Sequence, residues 1–314
     1  MSKYVDMGIK AIIRPPRHNY DPEKLPPSIF VPNVGVIQRQ PLVITNSRGL
    51  KLKGSFYSPL DMFPDMPCVV YLHGNASSQL EGSFLVPVFI PAGVSVLCFD
   101  FTGCGASEGE YISLGYFERD DVKCAIELVR NTFGVGRVAL WGRSMGAATS
   151  IYALSDDPTI AGAVLDSPFS SLPDLIKELA ENQGIPGFVT STASWYIGKK
   201  IKELADFDID KVEPIKVAQA CFTPILFIHG ENDSFIKPEH SRKLHEAYCG
   251  EEKQIMIVPG DHNSQRPLHA QIEAILFLGG CLEAPICIDE LPEMLNGHYS
   301  DDHYGDLGQM LGDM

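Results

Sequence analysis

Six short apolar runs recur along the chain: Cys68 to Leu72, Val94 to Phe99, Val138 to Trp141, Ile160 to Leu165, Ile225 to Ile228 and Gln254 to Val258. Strands covered on both faces of a parallel sheet read this way, without polar alternation. Stretches with helical spacing lie between them, near 79–91, 116–133, 145–155, 238–248 and 266–278. The alternation predicts an α/β fold on a mostly parallel, doubly wound sheet. Upstream, Pro41 to Thr45 and Leu50 to Tyr57 flank Asn46, Ser47, Arg48 and Gly49, and LKLKGSFY alternates polar with apolar positions. That pattern predicts an antiparallel hairpin leading into the sheet.

One interval breaks the rhythm. The stretch from Leu165 to Ile225 is far longer than an ordinary crossover, which needs about 10–12 residues including its helix. Within it, Leu172 to Asn182 and Ser191 to Leu204 have helical spacing and are separated by Gly184, Pro186 and Gly187. Residues 168–220 are therefore expected to form a helical cap inserted over the C-terminal edge of the sheet, where such folds bind ligands. The cap divides a domain spanning 36–278.

Residues 1–35 contain Pro15, Pro16, Pro22, Pro26, Pro27 and Pro32. They are expected to form a short helix or strand and then an extended arm on the domain. Ile9, Ile12 and Ile13 sit beside Lys10, Arg14 and Arg17; packing into the core is the expectation, with weak contact to a membrane surface as the alternative. Residues 279–314 are expected to be a disordered acidic tail. Within it, LPEML and YGDLGQML are the segments that could dock as short helices on a protein partner.

The chain has 314 residues, 45% hydrophobic and 21% charged, with a net charge of -15. Its size allows a full core, and its acidity excludes a nucleic-acid partner, which would need clustered Lys and Arg. After Arg266 there is no Lys or Arg, so much of the negative charge belongs to the tail. The N-terminal residues lack a signal-peptide core, and no long apolar run occurs, so a cytoplasmic protein is expected; the expected state is a monomer or a weak oligomer. The eight cysteines are scattered without a C-x-x-C pair, which points to buried free thiols in a reducing compartment.

The candidate chemistry centres on Val138 to Ser150, VALWGRSMGAATS. It contains G-x-S-x-G between a strand pattern and a helix pattern, the setting of a strained turn that lifts a serine to the top of a sheet. Gly142 and Gly146 provide the clearance such a turn requires. Ser144 would stand at a helix N-terminus, where free N–H groups favour developing negative charge.

A serine hydroxyl needs a base, and the base needs a carboxylate. In this setting the order along the chain is serine, acid, histidine. Of nine histidines, His262 follows a strand and the turn Pro259, Gly260, Asp261, which puts it on a loop at the C-terminal edge of the sheet. Asp233, in ILFIHGENDSFIKP, lies just past its strand and is the preferred acid. Asp166, in VLDSPFS, is the alternative acid, and Glu231 is an outside candidate. An oxyanion hole would draw one N–H from Met145 and a second from Asn75 or Ala76 in YLHGNASS, with His73 bracing that loop.

The segments HGN, DFTGCGASEG, GRSMG, HGENDSFI and GDHN together resemble the α/β-hydrolase superfamily. The resemblance is greatest to S33-type, serine aminopeptidase-like hydrolases, particularly plant and protist members that open on an IIRPPR-like segment. Animal acyl-protein thioesterases are similar in the core. The resemblance spans about Ile12 to Leu278 and implies an α/β-hydrolase fold with Ser144 as nucleophile, Asp233 as acid, His262 as base, and Asn75 with Met145 at the oxyanion hole. The thioesterases carry an N-terminal cysteine cluster for acylation, whereas the first cysteine here is Cys68; this speaks against a lipid-anchored depalmitoylase.

Two other motifs fail on their own chemistry. In FTGCGASEG, Glu108 occupies the place of the third glycine of a dinucleotide fingerprint and would repel a pyrophosphate. Asp206, Asp208 and Asp210 resemble the opening of a calcium loop, but Lys211 and Val217 stand where it needs glycine and glutamate. No cofactor or metal is therefore expected. The expected activity is acyl transfer from an ester, thioester or amide to water, most simply a carboxylic ester hydrolase. Ile185, Phe188, Trp195, Tyr196 and Ile197 in the cap favour an apolar acyl substrate. An aminopeptidase would need a carboxylate for the substrate amine, with Asp174, Glu178, Glu181 and Glu203 as the candidates. A non-catalytic scaffold recruiting a partner through the acidic tail is the alternative of another class.

Overall fold

A computed structural model describes residues 8–10, 12–61, 63–182 and 187–296; for 187–194 and for Asn296 it describes backbone only. Among the described residues ten strands are formed: β1 Ser28–Val31, β2 Gly35–Gln38, β3 Gln40–Thr45, β4 Lys51–Tyr57, β5 Met66–Leu72, β6 Ser95–Phe99, β7 Val135–Arg143, β8 Gly162–Asp166, β9 Ile225–Gly230 and β10 Lys253–Val258. The last eight make one sheet in the order β10-β9-β8-β7-β5-β6-β4-β3. Only β4 runs against the rest, pairing antiparallel with β3 and β6, and the pairs from β6 to β10 are parallel. The chain therefore has the mostly parallel sheet and antiparallel hairpin that the apolar pattern predicts.

The burial of the strands explains that pattern. Every residue of β6, β8 and β9 is buried, whereas edge strand β3 alternates exposed with covered positions. Side chains alternate along each strand, so β5 sends Cys68, Val70 and Leu72 into one core and Val69 and Tyr71 into the other. Helices fill both sides: α1 Val86–Phe89, α2 Glu118–Phe133, α3 Met145–Asp156, α7 Glu239–Ala247, α8 Leu268–Leu282 and α9 Leu291–Asn296. Segment 79–92 is largely 3-10 helix rather than the regular helix its spacing suggests; Pro87 and Pro91 lack the N–H that a continuous helix needs there.

The interval after β8 contains α4 Leu172–Asn182, α5 Gly187–Ala205 and α6 Pro214–Ala218. Leu172, Leu175, Ile176 and Ile201 tie α4 and α5 to the core on one face of the sheet. Residues 183–186, where the turn with Gly184 and Pro186 and the apolar Ile185 are expected, lie outside the described residues.

Two boundaries move. The arm is not merely extended: β1 and β2 pair across the expected break at residue 35, from Ser28↔Gln38 to Val31↔Gly35. Val31 and Ile37 bury themselves in the second core, so apolar burial makes the hairpin part of the domain. Ile9 and Ile13 are likewise buried in the first core. At the other end α8 runs on to Leu282, and α9 follows, with Leu291, Met294 and Leu295 buried against the second core. The expected disordered tail is thus folded as far as Asn296, and LPEML docks on its own domain. YGDLGQML lies outside the described residues.

All eight cysteines are free; Cys68, Cys98, Cys104 and Cys221 are buried, while Cys249 and Cys287 are exposed. Burial pushes the Cys68 thiol up to about 12. Among the described residues no helix is long and apolar enough to cross a membrane.

Candidate active site

Strand β7 ends at Arg143 and α3 begins at Met145, leaving Ser144 alone in the turn with φ +51° and ψ −114°. A non-glycine residue there costs about 1–3 kcal/mol and persists only where its surroundings enforce it. Enforcement comes from both sides, as the Ser144 N–H donates to the Asp166 carbonyl at 2.7 Å and the Ser144 carbonyl accepts from Ala148 N at 3.0 Å. A side chain at Gly142 would strike the Gly146 backbone, and one at Gly146 would strike the Leu72 carbonyl. The two glycines thus let the elbow helix press directly against the end of β5.

His262 lies beyond β10 on a loop turned by Gly260 (φ +121°). Its Nε2 is 3.2 Å from Ser144 Oγ, and its Nδ1 is 2.6 Å from Asp233 Oδ2. The loop is tightened by Asp261, whose carboxylate accepts from the N–H groups of Asn263 and Ser264. Asp233, after β9, directs its other oxygen to the N–H groups of Phe235 and Ile236 at 3.0 and 2.7 Å. Burial opposes charge on Asp233, but hydrogen bonding from His229 and His262 outweighs it and holds the carboxyl far below its ordinary range. The three side chains predicted to meet are therefore brought together, with the acid ionised and the imidazole oriented.

Asp166 does not reach His262. Its carboxylate takes Arg266 at 2.8 Å and the Ser167 hydroxyl at 3.0 Å. Burial disfavours the charged form, yet the Arg266 guanidinium holds it below the usual range. The rival acid is corrected by this pairing, since its oxygens are committed to a cation. Glu231 is exposed.

The loop after β5 lies against the elbow, with a Cβ built on Gly74 falling 3.7 Å from Ser144 Cβ. Met145 is the first residue of α3, so its N–H has no carbonyl of its own helix to bond. Asn75 belongs to the neighbouring loop, and its Oδ1 is buried without a hydrogen-bond partner. His73 accepts from Phe101 N–H through Nε2 at 3.0 Å, which leaves Nδ1 to donate to the Gly74 carbonyl at 2.7 Å. It braces the loop, as its position suggests.

Sequence reading missed several residues around these groups. Glu81 accepts from Gly74 N–H at 2.9 Å and pairs with Arg143, while Arg143 reaches the His262 carbonyl at 3.1 Å. Arg266 donates to the Asp261 carbonyl at 2.8 Å. His229, fully buried, stands behind the acid with Nε2 3.3 Å from Asp233 Oδ2. The one available signal was Arg143, a cation inside the glycine motif and beside a residue that must be buried. Among the described residues no cluster of His, Cys, Asp or Glu could hold a metal ion.

A serine on a strained strand-to-helix turn, above a mostly parallel sheet with one antiparallel strand, defines a serine hydrolase of the α/β-hydrolase fold. Residues 65–206 match the family model described as serine aminopeptidase, S33, and residues 165–264 match that described as serine hydrolase (FSH1). The uncharacterised protein YqkD of Bacillus subtilis is 26% identical over 233 residues, covering 72% of this chain and 73% of its own. The uncharacterised protein YfhR of Salmonella typhi is 30% identical over 241 residues, covering 72% and 75%. The chain spans less, 62%, of YfhR from Escherichia coli. Among solved structures, a Pyrococcus furiosus esterase, Pf2001, superposes with a TM-score of 0.63 at 22% identity, covering 87% of this chain and 97% of that one. The chain belongs to the S33-type serine hydrolases of the α/β-hydrolase superfamily.

Proposed function

We propose that the chain is a carboxylic ester hydrolase in which Ser144, His262 and Asp233 act as nucleophile, base and acid. The observation that carries this reading is the pair of hydrogen bonds on one imidazole, 2.6 Å to Asp233 and 3.2 Å to Ser144 Oγ. Asp233, ionised, accepts a hydrogen bond from the Nδ1 proton and so fixes the tautomer that leaves Nε2 free to accept the Ser144 proton as Oγ attacks the substrate carbonyl. The resulting oxyanion faces the N–H groups of Met145 and Asn75. Collapse expels the alcohol, which takes the proton back from His262, and water releases the acid from the acyl-enzyme by the same steps.

An ester is favoured over an aminoacyl substrate by how the acidic groups are spent. The buried carboxylates beside the triad, Glu81 and Asp166, each face an arginine. In the cap Glu178, whose buried Oε2 accepts no hydrogen bond, lies 3.5 Å from the Lys237 ammonium, Glu181 lies near Lys177 and Glu203 near Lys200, while Asp174 is exposed. Trp195 and Tyr196 are exposed on the cap and Ile197 is half-buried, consistent with an apolar acyl group; the side chain of Phe188 lies outside the described residues. The similar protein from Pyrococcus furiosus is named an esterase, which points the same way. The test is labelling by a fluorophosphonate together with turnover of p-nitrophenyl esters of graded chain length and of aminoacyl p-nitroanilides. Ester turnover and labelling that both vanish in Ser144→Ala are expected; turnover of the anilides alone would reverse the substrate assignment.

A further inference from the structure

We propose that Glu81 and Arg143 are a positioning pair that fixes the oxyanion loop and the His262 loop at one spacing around Ser144; this rests on the catalytic reading above. The pair is almost wholly covered, with side-chain exposures of 6% and 14%. From Glu81, Oε2 accepts the Gly74 N–H while Oε1 meets Arg143 Nη1. From Arg143, Nη2 donates to the His262 carbonyl at 3.1 Å and lies 3.4 Å from Asn263 Oδ1. One continuous path therefore runs from the loop carrying Asn75, through a carboxylate and a guanidinium, to the backbone of the base. Ser144 is the next residue along from Arg143, so the path is also anchored at the nucleophile.

A structural role alone does not explain this pair. Removing two charges from water is costly, and apolar residues of similar volume usually stabilise a core as well or better. What an apolar pair cannot do is hold two separate loop backbones at a set distance. The planar guanidinium, with donors diverging in a fixed fork, can bind a carboxylate and a carbonyl at once. Burial works against charge on Glu81, but Arg143 and the Gly74 N–H outweigh it and keep the carboxyl below the usual glutamate range. Because a misplacement of about 1 Å in a reacting group costs roughly 100-fold in rate, a rigid strut here bears on the chemical step rather than on substrate capture.

The experiment compares wild type with Glu81→Gln, Arg143→Met, Arg143→Lys and the double variant Glu81→Gln/Arg143→Met. It measures kcat and KM on a p-nitrophenyl ester, the active fraction by fluorophosphonate titration, and hydrogen exchange over 73–77 and 259–266. Per active site, Glu81→Gln and Arg143→Met are expected to lower kcat about 10- to 100-fold with KM held within about threefold. The double variant is expected to be no worse than the poorer single, because the two residues act as one unit. Arg143→Lys keeps the charge and the fold but not the fork, and should recover only part of the rate. Both loops should exchange faster in the Gln and Met variants. Wild-type kcat per active site, or a loss of rate accounted for entirely by a smaller active fraction, would overturn the proposal. If wild type itself fails to react with the fluorophosphonate, the catalytic reading falls and exchange decides alone: faster exchange in both loops supports the strut, and unchanged exchange refutes it.

Discussion

The Asp166 carboxylate lies 2.8 Å from Arg266 Nη2, while the backbone carbonyl of the same Asp166 holds the Ser144 N–H at 2.7 Å. One residue thus supports the nucleophile through its main chain and the base loop through its side chain, since Arg266 goes on to the Asp261 carbonyl. Asp166→Asn should therefore act mainly on stability. It leaves a buried guanidinium uncompensated, at a cost of about 3–5 kcal/mol, read as a lowered urea midpoint. Asp233→Asn should do the opposite, lowering kcat about 10⁴-fold by removing the imidazole's orienting partner. A larger kcat loss in Asp166→Asn than in Asp233→Asn would exchange their roles.

The elbow glycines should separate sharply from the neighbouring loop glycine. Gly146→Ala has no space beside Leu72 and His73, so a loss of about 3 kcal/mol or more is expected. Gly74→Ala meets its nearest atom at 3.7 Å, an ordinary contact, and should shift stability by less than about 1 kcal/mol. Chemical denaturation of the two variants side by side checks the contrast.

Asp121 should give stability a distinctive pH dependence. Burial raises it, hydrogen bonds from Asn46 and Thr102 only partly oppose this, and it is held up to about 6. An acid raised in the folded state binds its proton more tightly there than in the unfolded chain, where its value is about 3.9. Its contribution is therefore complete below about pH 4 and is lost as pH rises towards 6, amounting to at most about 3 kcal/mol. Glu81, Asp166 and Asp233 are depressed instead, so theirs is present above about pH 4 and lost on further acidification. Urea unfolding from pH 3 to 8 should lose its decline between 4 and 6 in Asp121→Asn, whatever that variant does to overall stability.

The folded part of the C-terminal segment should matter to the whole domain. Leu295 is 2% exposed and belongs to the second core, so Leu295→Ala is expected to cost about 2–5 kcal/mol. An unchanged denaturation midpoint would show that α9 is dispensable.

The parts that were legible in the sequence are those written locally. Continuous apolar runs gave the strands, and two glycines around a serine gave the elbow. Asp233 and His262 could be named because each follows its own strand, and a strand's end is visible where apolar residues give way to Gly, Asn and Asp. Glu81 and Arg143 are 62 positions apart, and Asp166 and Arg266 are 100 apart. Only the strand order sets them side by side, and no pattern within either segment encodes it. The β1–β2 hairpin was hidden by prolines at 26, 27 and 32, which mask a strand only four residues long. The helix α9 was hidden by acidic neighbours, because charge on its outer side says nothing of Leu291 and Leu295 on the inner one.

The distribution of thiols supplies a reporter that requires no engineering. Cys249 and Cys287 stand open to a maleimide in the native molecule, whereas Cys68, Cys98, Cys104 and Cys221 are sealed within it. Mass spectrometry of alkylated chains would then count, molecule by molecule, how often the interior opens, and any ligand seated over Ser144 should slow the four sealed positions together.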